Sequence, residues 1–149
     1  MLYTCNCCNS KYQGDDAQFY MCKHCGHQWI PVDSELNLQY YSELSGRNSM
    51  PVEYIKKKLH DRVYFVLPFL KKGSRVLEIG CAEGDLGKLL KEKMDIHYTG
   101  VELSNDAAVA KKALDKVVRE PNVFLGEQKF DLIISFHVLE HIIDPYINV

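Results

Sequence analysis

From residue 51 onward, apolar and polar residues follow two alternating periods. Val52, Ile55, Leu59, Val63, Val66, Leu67 and Leu70 recur at helical spacing, and Pro51 and Glu53 suit the first turn of that helix. After Gly73 the period switches repeatedly. "RVLEI" predicts a strand, "DLGKLLKEKM" a helix with Leu86, Leu89 and Leu90 on its inner face, and "HYTGVEL" a second strand. "SNDAAVAKKALDKVV" predicts a second helix with Ser104 as N-cap, and "NVFL" a short third strand. "FDLIISF" is a fourth strand, apolar enough to be buried on both faces. Strands alternating with helices predict an α/β fold with a parallel sheet and right-handed crossovers.

The first thirty residues follow neither period. They are rich in turn residues and cysteine, and "KYQ" and "QFYM" predict a hairpin turning at "GDD". Pro31 and "DSELN" read as a linker, and "LQYYSELSGRNSM" as a short helix or loop.

Five of the 6 cysteines precede residue 26, and only Cys81 lies beyond. Such crowding points to a local metal site rather than a disulfide framework. Cys5 with Cys8 and Cys22 with Cys25 form two C-x2-C knuckles, thirteen residues apart. Two knuckles brought together by a hairpin supply the four soft ligands of tetrahedral Zn2+, and Gly26 permits the turn after the last of them. A closed four-thiolate site leaves no position for water, so the expected role is structural. Cys7, His24 and His27 read as bystanders, although Cys7 offers a neighbouring thiol.

The net charge of -2 creates no field favouring nucleic acid or an anionic membrane. Before residue 35 the cations are only Lys11 and Lys23, which argues against a ribbon that grips a phosphate backbone. Lys56, Lys57, Lys58, Lys71 and Lys72 read as a solvated face. No apolar run approaches the roughly 20 residues needed to span a bilayer. "MLYTCNCCNS" does not resemble a secretory signal, so the expected location is cytoplasmic.

The chemistry concentrates at "VLEIGCAEG". A glycine turn between strand and helix lets a ligand approach backbone N–H groups. Here, however, Glu78 stands two residues before Gly80. A carboxylate repels a pyrophosphate and attracts an ammonium group. Glu102, closing the second strand about twenty residues on, can accept hydrogen bonds from both hydroxyls of a ribose. Together they suit a nucleoside with a cationic tail.

"VLEIGCAEG", "GVELS" and "FDLIISFHVLEHIID" resemble, in order and spacing, class I S-adenosylmethionine-dependent methyltransferases. Ala82 replaces the middle glycine of that family's loop. The resemblance implies the first half of a Rossmann-like methyltransferase sheet, about four parallel strands with helices, behind an N-terminal zinc ribbon. It divides the chain into a ribbon over 1–31, a linker or cap over 32–50 and a partial methyltransferase domain over 51–149. It also implies S-adenosylmethionine as cofactor beside the structural Zn2+.

Glu78, Gly80 and Gly84 are then expected at the methionine part of the cofactor, with Cys81 and Ala82 completing the loop. Cys81 itself reads as a small buried side chain rather than a nucleophile. Glu102 is expected at the ribose, Leu103 and Ser104 at the adenine, and Phe136 and His137 near the reacting methyl. Core packing is an equal reading for Phe136. Glu127 is the nearest candidate for the adenine amino group. His137, Glu140 and His141 are the candidate general bases, and His141 reads first as a packing residue.

The N-terminal layout, "CKHCGHQWIP" followed by "QYYSEL", resembles methyltransferases thought to act on sugars or polysaccharide precursors. The expected acceptor is therefore a small molecule. The chain stops at "HVLEHIIDPYINV" after about four strands, which predicts a truncated domain. Three alternatives stand beside this reading. The chain could be a non-catalytic fragment or zinc-ribbon interaction module, it could methylate RNA, or a second copy or chain could complete the sheet.

Overall fold

The computed structural model describes residues 2–5, 7–8, 10–13, 20–29, 51–119 and 128–141. The proposed linker over 32–50, the "NVFL" strand and Glu127 lie outside them.

The N-terminal unit contains two small antiparallel pairs. β1 (Leu2–Thr4) pairs with β2 (Lys11–Gln13), and β3 (Tyr20–Met21) with β4 (Gln28–Trp29). "KYQ" therefore pairs with the strand before the first knuckle, and the described part of "QFYM", Tyr20–Met21, pairs with Gln28–Trp29 rather than with it. Each knuckle carries its own hairpin, and the two close alike. Cys5 N–H donates to the Ser10 carbonyl at 2.9 Å, and Cys22 N–H to the His27 carbonyl at 2.8 Å.

α1 (Val52–Val66) starts after Pro51 and ends where Pro68 removes a backbone donor; residues 67–69 tighten into a 3-10 turn. Only the C-terminal half of its apolar stripe reaches the core, through Val63 and Val66, while Val52 stays 64% exposed. The lysines on α1 do behave as a solvated face. Lys56 pairs with Glu53 at 3.2 Å in the open, and the Lys58 ammonium lies over the Tyr54 ring.

Four parallel strands follow: β5 (Arg75–Ile79), β6 (His97–Val101), β7 (Lys116–Val118) and β8 (Leu132–Ser135), in the spatial order β7-β6-β5-β8. The central β5 and β6 are nearly continuous buried runs, as expected of parallel strands covered on both faces. α2 (Asp85–Lys93) connects them, with Leu86 and Leu90 in the core. Burying Leu90 completely contributes about 2 kcal/mol. α2 also carries Asp85 in its first turn and Lys91 and Lys93 in its last, signs that match its dipole.

The predicted second helix is much shorter than expected. α3 spans only Ala107–Ala110, and "KVV" leaves the helix to become β7. Asp115 causes the switch. Its carboxylate accepts the Tyr98 N–H at 2.7 Å, and its own N–H donates to the Tyr98 carbonyl at 3.2 Å. Asp131 does the same at the other edge, accepting the Arg75 N–H at 2.8 Å and donating to the Arg75 carbonyl at 2.8 Å. An aspartate just before each outer strand thus fixes it to the inner strand beside it. Burial alone would raise the Asp115 pKa, but the Lys91 ammonium and the Tyr98 N–H outweigh it and hold the carboxyl below its usual range.

β8 is an edge strand of the described sheet rather than a strand buried on both faces. Leu132 and Ile134 pack against the core, while Ile133 on the other face is 54% exposed. Among the described residues, no helix is long and apolar enough to cross a membrane.

Candidate functional site

The four cysteine sulfurs of the two knuckles, Cys5, Cys8, Cys22 and Cys25, lie within 4.8 Å of one another. A Zn–S bond of about 2.3 Å in tetrahedral geometry sets sulfurs about 3.8 Å apart. Cys5 Sγ and Cys25 Sγ are 3.7 Å apart, and Cys8 Sγ and Cys22 Sγ 3.6 Å apart. Donor type, number and spacing all fit Zn2+. Cys7 and His24 are exposed and outside this group. Nothing in the sequence singles out Ser10, yet its hydroxyl lies 3.0 Å from Cys8 Sγ and 3.2 Å from Cys22 Sγ. That contact is the chief cause lowering both thiol pKa values, that of Cys22 to about 5, and it favours the thiolate at these two ligands. Burial instead raises the pKa of Cys5 and, against the pull of the His27 backbone, burial and the neighbouring cysteines push the Cys25 thiol up to about 12.

The second site lies where β5 and β6 end. The loop after β5 passes through three left-handed residues, Gly80 (φ 75), Ala82 (φ 47) and Gly84 (φ 81), before Asp85 opens α2. Only Ala82 carries a side chain in that region, at a cost of roughly 1–2 kcal/mol. Glu102 offsets it. One carboxylate oxygen accepts the Ala82 N–H and the other the Ser104 N–H, both at 2.8 Å. An ionised carboxylate has about four acceptor positions, so each oxygen retains capacity for a further donor. Glu102 is half-buried at the end of β6 and remains accessible.

Glu78 is only 3% exposed. Its Oε2 accepts the Tyr98 hydroxyl at 2.9 Å. Its Oε1 takes no hydrogen bond from the described residues. Burial pushes the Glu78 carboxyl up to about 7, against the pull of the Tyr98 hydroxyl and the Arg62 guanidinium, and Glu102 adds to the rise. A buried carboxylate with one unpartnered oxygen needs a cation or a proton.

The other expected residues divide. Cys81 turns its buried side chain into the core, where a Cβ on Gly100 would collide with its sulfur. Its N–H is committed to the Val101 carbonyl, and burial raises its thiol pKa well above the usual range. Leu103 is half-buried and its carbonyl accepts Arg119 Nη2 at 3.0 Å. Ser104 is buried. Its hydroxyl accepts the Asp106 N–H at 3.2 Å, closing the turn before α3, whose N-cap is Asp106 rather than Ser104.

Past β8, Phe136 packs against α1, with its ring edge to face with Phe65 and 4.8 Å from the Arg62 guanidinium. His137 is exposed and holds a left-handed φ of 57. That turn brings Val138 down onto the loop, where a Cβ on Gly80 would strike its side chain. His141 is exposed and ends a 3-10 turn over Leu139–His141, its N–H donating to the Val138 carbonyl at 2.8 Å. Glu140 lies in the same turn, and its side chain is outside the described residues. The sequence did not point to Arg62, which faces both Glu78 and Phe136 from a helix distant in the chain.

A family model described as "Methyltransferase domain" matches residues 52–148, well over half of the chain, and the chain belongs to that family. No curated protein matches it significantly. Among solved structures, it is similar to magnesium protoporphyrin IX methyltransferase from Synechocystis PCC 6803 with bound SAM, at 18% identity and a TM-score of 0.54 over 75% of this chain and 65% of that one. It is also similar to a SAM-dependent methyltransferase from Thiobacillus denitrificans in complex with S-adenosyl-L-homocysteine. That match has 18% identity and a TM-score of 0.48, covering 75% of this chain and 46% of that one. A TehB-like SAM-dependent methyltransferase from Corynebacterium glutamicum matches at 23% identity and a TM-score of 0.44, over 56% and 52% of the two chains. The chain thus spans about half the length of several of the solved structures it matches. The sheet is that of a Rossmann-like methyltransferase half-fold, behind a cysteine-rich ribbon.

Proposed function

We propose that residues 51–149 form the cofactor-holding part of an S-adenosylmethionine-dependent methyltransferase. In this reading residues 1–31 are a structural zinc ribbon and residues 32–50 a connecting or capping segment. One observation carries the proposal. Two carboxylates stand at the ends of adjacent parallel strands on either side of a glycine turn, and one oxygen of the buried one takes no hydrogen bond from the described residues.

Glu78 Oε1 would take the ammonium of the methionine moiety, a cation that satisfies a buried carboxylate at short range. Glu102 would take the ribose hydroxyls while keeping its backbone bonds to Ala82 and Ser104. Gly80 and Gly84, with Ala82 between them, would let the ligand approach the turn closely, and Leu103 and Ser104 would border the adenine. Phe136 and His137 would flank the reacting end, and Cys81 would support the loop from below. When bound, the cofactor supplies an electrophilic methyl on a sulfonium. The contribution of these residues is to hold it, orient it and keep water away. A base is needed only where the acceptor must lose a proton, and His137, Glu140 and His141 are this chain's candidates. The acceptor in this reading is a small molecule of the sugar or polysaccharide-precursor kind, met in the cytoplasm.

Titration calorimetry with S-adenosylhomocysteine tests the reading. Wild type should bind, and Glu102→Ala should bind at least about tenfold more weakly, having lost charge-assisted hydrogen bonds. Equal affinities in the two proteins would remove Glu102 from the site. No binding by wild type would remove the site itself.

A further inference from the structure

We propose that Tyr98 is the positioning residue of this site: its hydroxyl fixes the buried Glu78 carboxylate so that Oε1 faces the ammonium group of the cofactor. The proposal rests on the reading above.

Tyr98 is fully buried on β6 and anchored at both ends. Asp115 holds its backbone N–H and carbonyl, and Glu78 Oε2 holds its hydroxyl. Between these anchors the ring lies along α2, close enough that a Cβ on Gly87 would sit 2.7 Å from Cδ1 and Cε1. Glycine is a poor helix former, and Gly87 lies inside α2. The ring, together with the Leu114 side chain whose Cδ2 would lie 2.5 Å from such a Cβ, explains its presence. Phenylalanine or leucine could fill this space without burying a hydroxyl, which costs stability unless it is bonded. The bond it makes goes to the buried one of the two carboxylates that the cofactor reading requires.

The consequence is electrostatic. Facing Glu78 are Arg62 from α1, Tyr98 and Glu102 from β6 and its end, and the Cys81 thiol from the loop. The Tyr98 hydroxyl and Arg62 favour the carboxylate, whereas burial and Glu102 favour the neutral acid. An ammonium ligand also favours the carboxylate. Affinity should therefore rise with pH through the titration of Glu78. Removing the Tyr98 hydroxyl should move that midpoint upward.

The test compares S-adenosylhomocysteine with 5′-methylthioadenosine, which keeps the nucleoside and thioether but lacks the amino acid. Both are titrated calorimetrically into wild type, Tyr98→Phe and Gly87→Ala between roughly pH 5 and 9. Tyr98→Phe should weaken S-adenosylhomocysteine about tenfold near neutral pH, shift its midpoint upward and leave methylthioadenosine unchanged. Gly87→Ala keeps the hydroxyl but crowds both the ring and the Leu114 side chain, and should shift the midpoint in the same direction. Equal weakening of both ligands, or an unmoved midpoint in either variant, overturns the role of Tyr98 and leaves the cofactor reading intact. If wild type binds neither ligand, both proposals fall.

Discussion

Chelation of Zn2+ is expected to unfold the N-terminal unit while leaving the parallel sheet folded. Among its described residues there is very little else to hold it. Among the described residues its strands are two or three residues long, and its buried apolar residues are Cys5 and Cys22, the ligands themselves. In such a unit the free energy of metal binding is folding free energy, on the order of 10 kcal/mol at neutral pH. Hydrogen exchange read residue by residue is the measurement. With a strong chelator, protection at the Cys5, Cys22 and Gly26 amides should vanish. The amides of β5 and β6 should keep theirs. Cys22→Ser should reproduce the effect without chelator, whereas Cys7→Ser should not, because Cys7 stands outside the ligand group. Purified protein without zinc and with an already protected ribbon would contradict this account.

The second large effect is expected at Gly80. Its φ of 75 is costly for any residue with a Cβ, and that Cβ would run into the Val138 side chain. The left-handed backbone costs roughly 1–2 kcal/mol, and overpacking typically another 1–3 kcal/mol. Gly80→Ala should therefore destabilise the sheet unit by about 2–5 kcal/mol, measured by urea denaturation. It should also lower affinity for S-adenosylhomocysteine, because Val138 and the loop can no longer close together. Val138→Ala opens space for the new methyl and should recover part of the loss. If Gly80→Ala alone has near-native stability, the contact between the loop and Val138 is not tight.

The sequence was informative where period and chemistry agree. "RVLEI" forms the strand expected, "HYTGVEL" does so over its first five residues, and the two C-x2-C knuckles bring their sulfurs together. It misled where a single long-range bond outweighed local preference. "ALDKVV" continues a helical pattern, yet Asp115 bonds back to Tyr98 and turns "KVV" into a strand. No local signal reports a partner seventeen residues away. Ser10 was missed for a similar reason, since its proximity to two sulfurs exists only once both knuckles are closed. Phe136 was ambiguous because an aromatic residue after a strand suits a ligand or a core equally well. Its contacts with Phe65 and Arg62 come from a helix far away in the chain.

The Cys81 sulfur occupies the space left by the missing side chain of Gly100, sealed between the glycine turn and β6. Burial also suppresses its thiolate, the form that reacts with alkylating agents. The protein therefore carries its own chemical clock. In the zinc-loaded protein, with the ribbon ligands protected by metal, the rate at which Cys81 takes up a bulky maleimide should report how often the turn parts from β6. A ligand that bridges Glu78 and Glu102 should slow that clock in proportion to its occupancy.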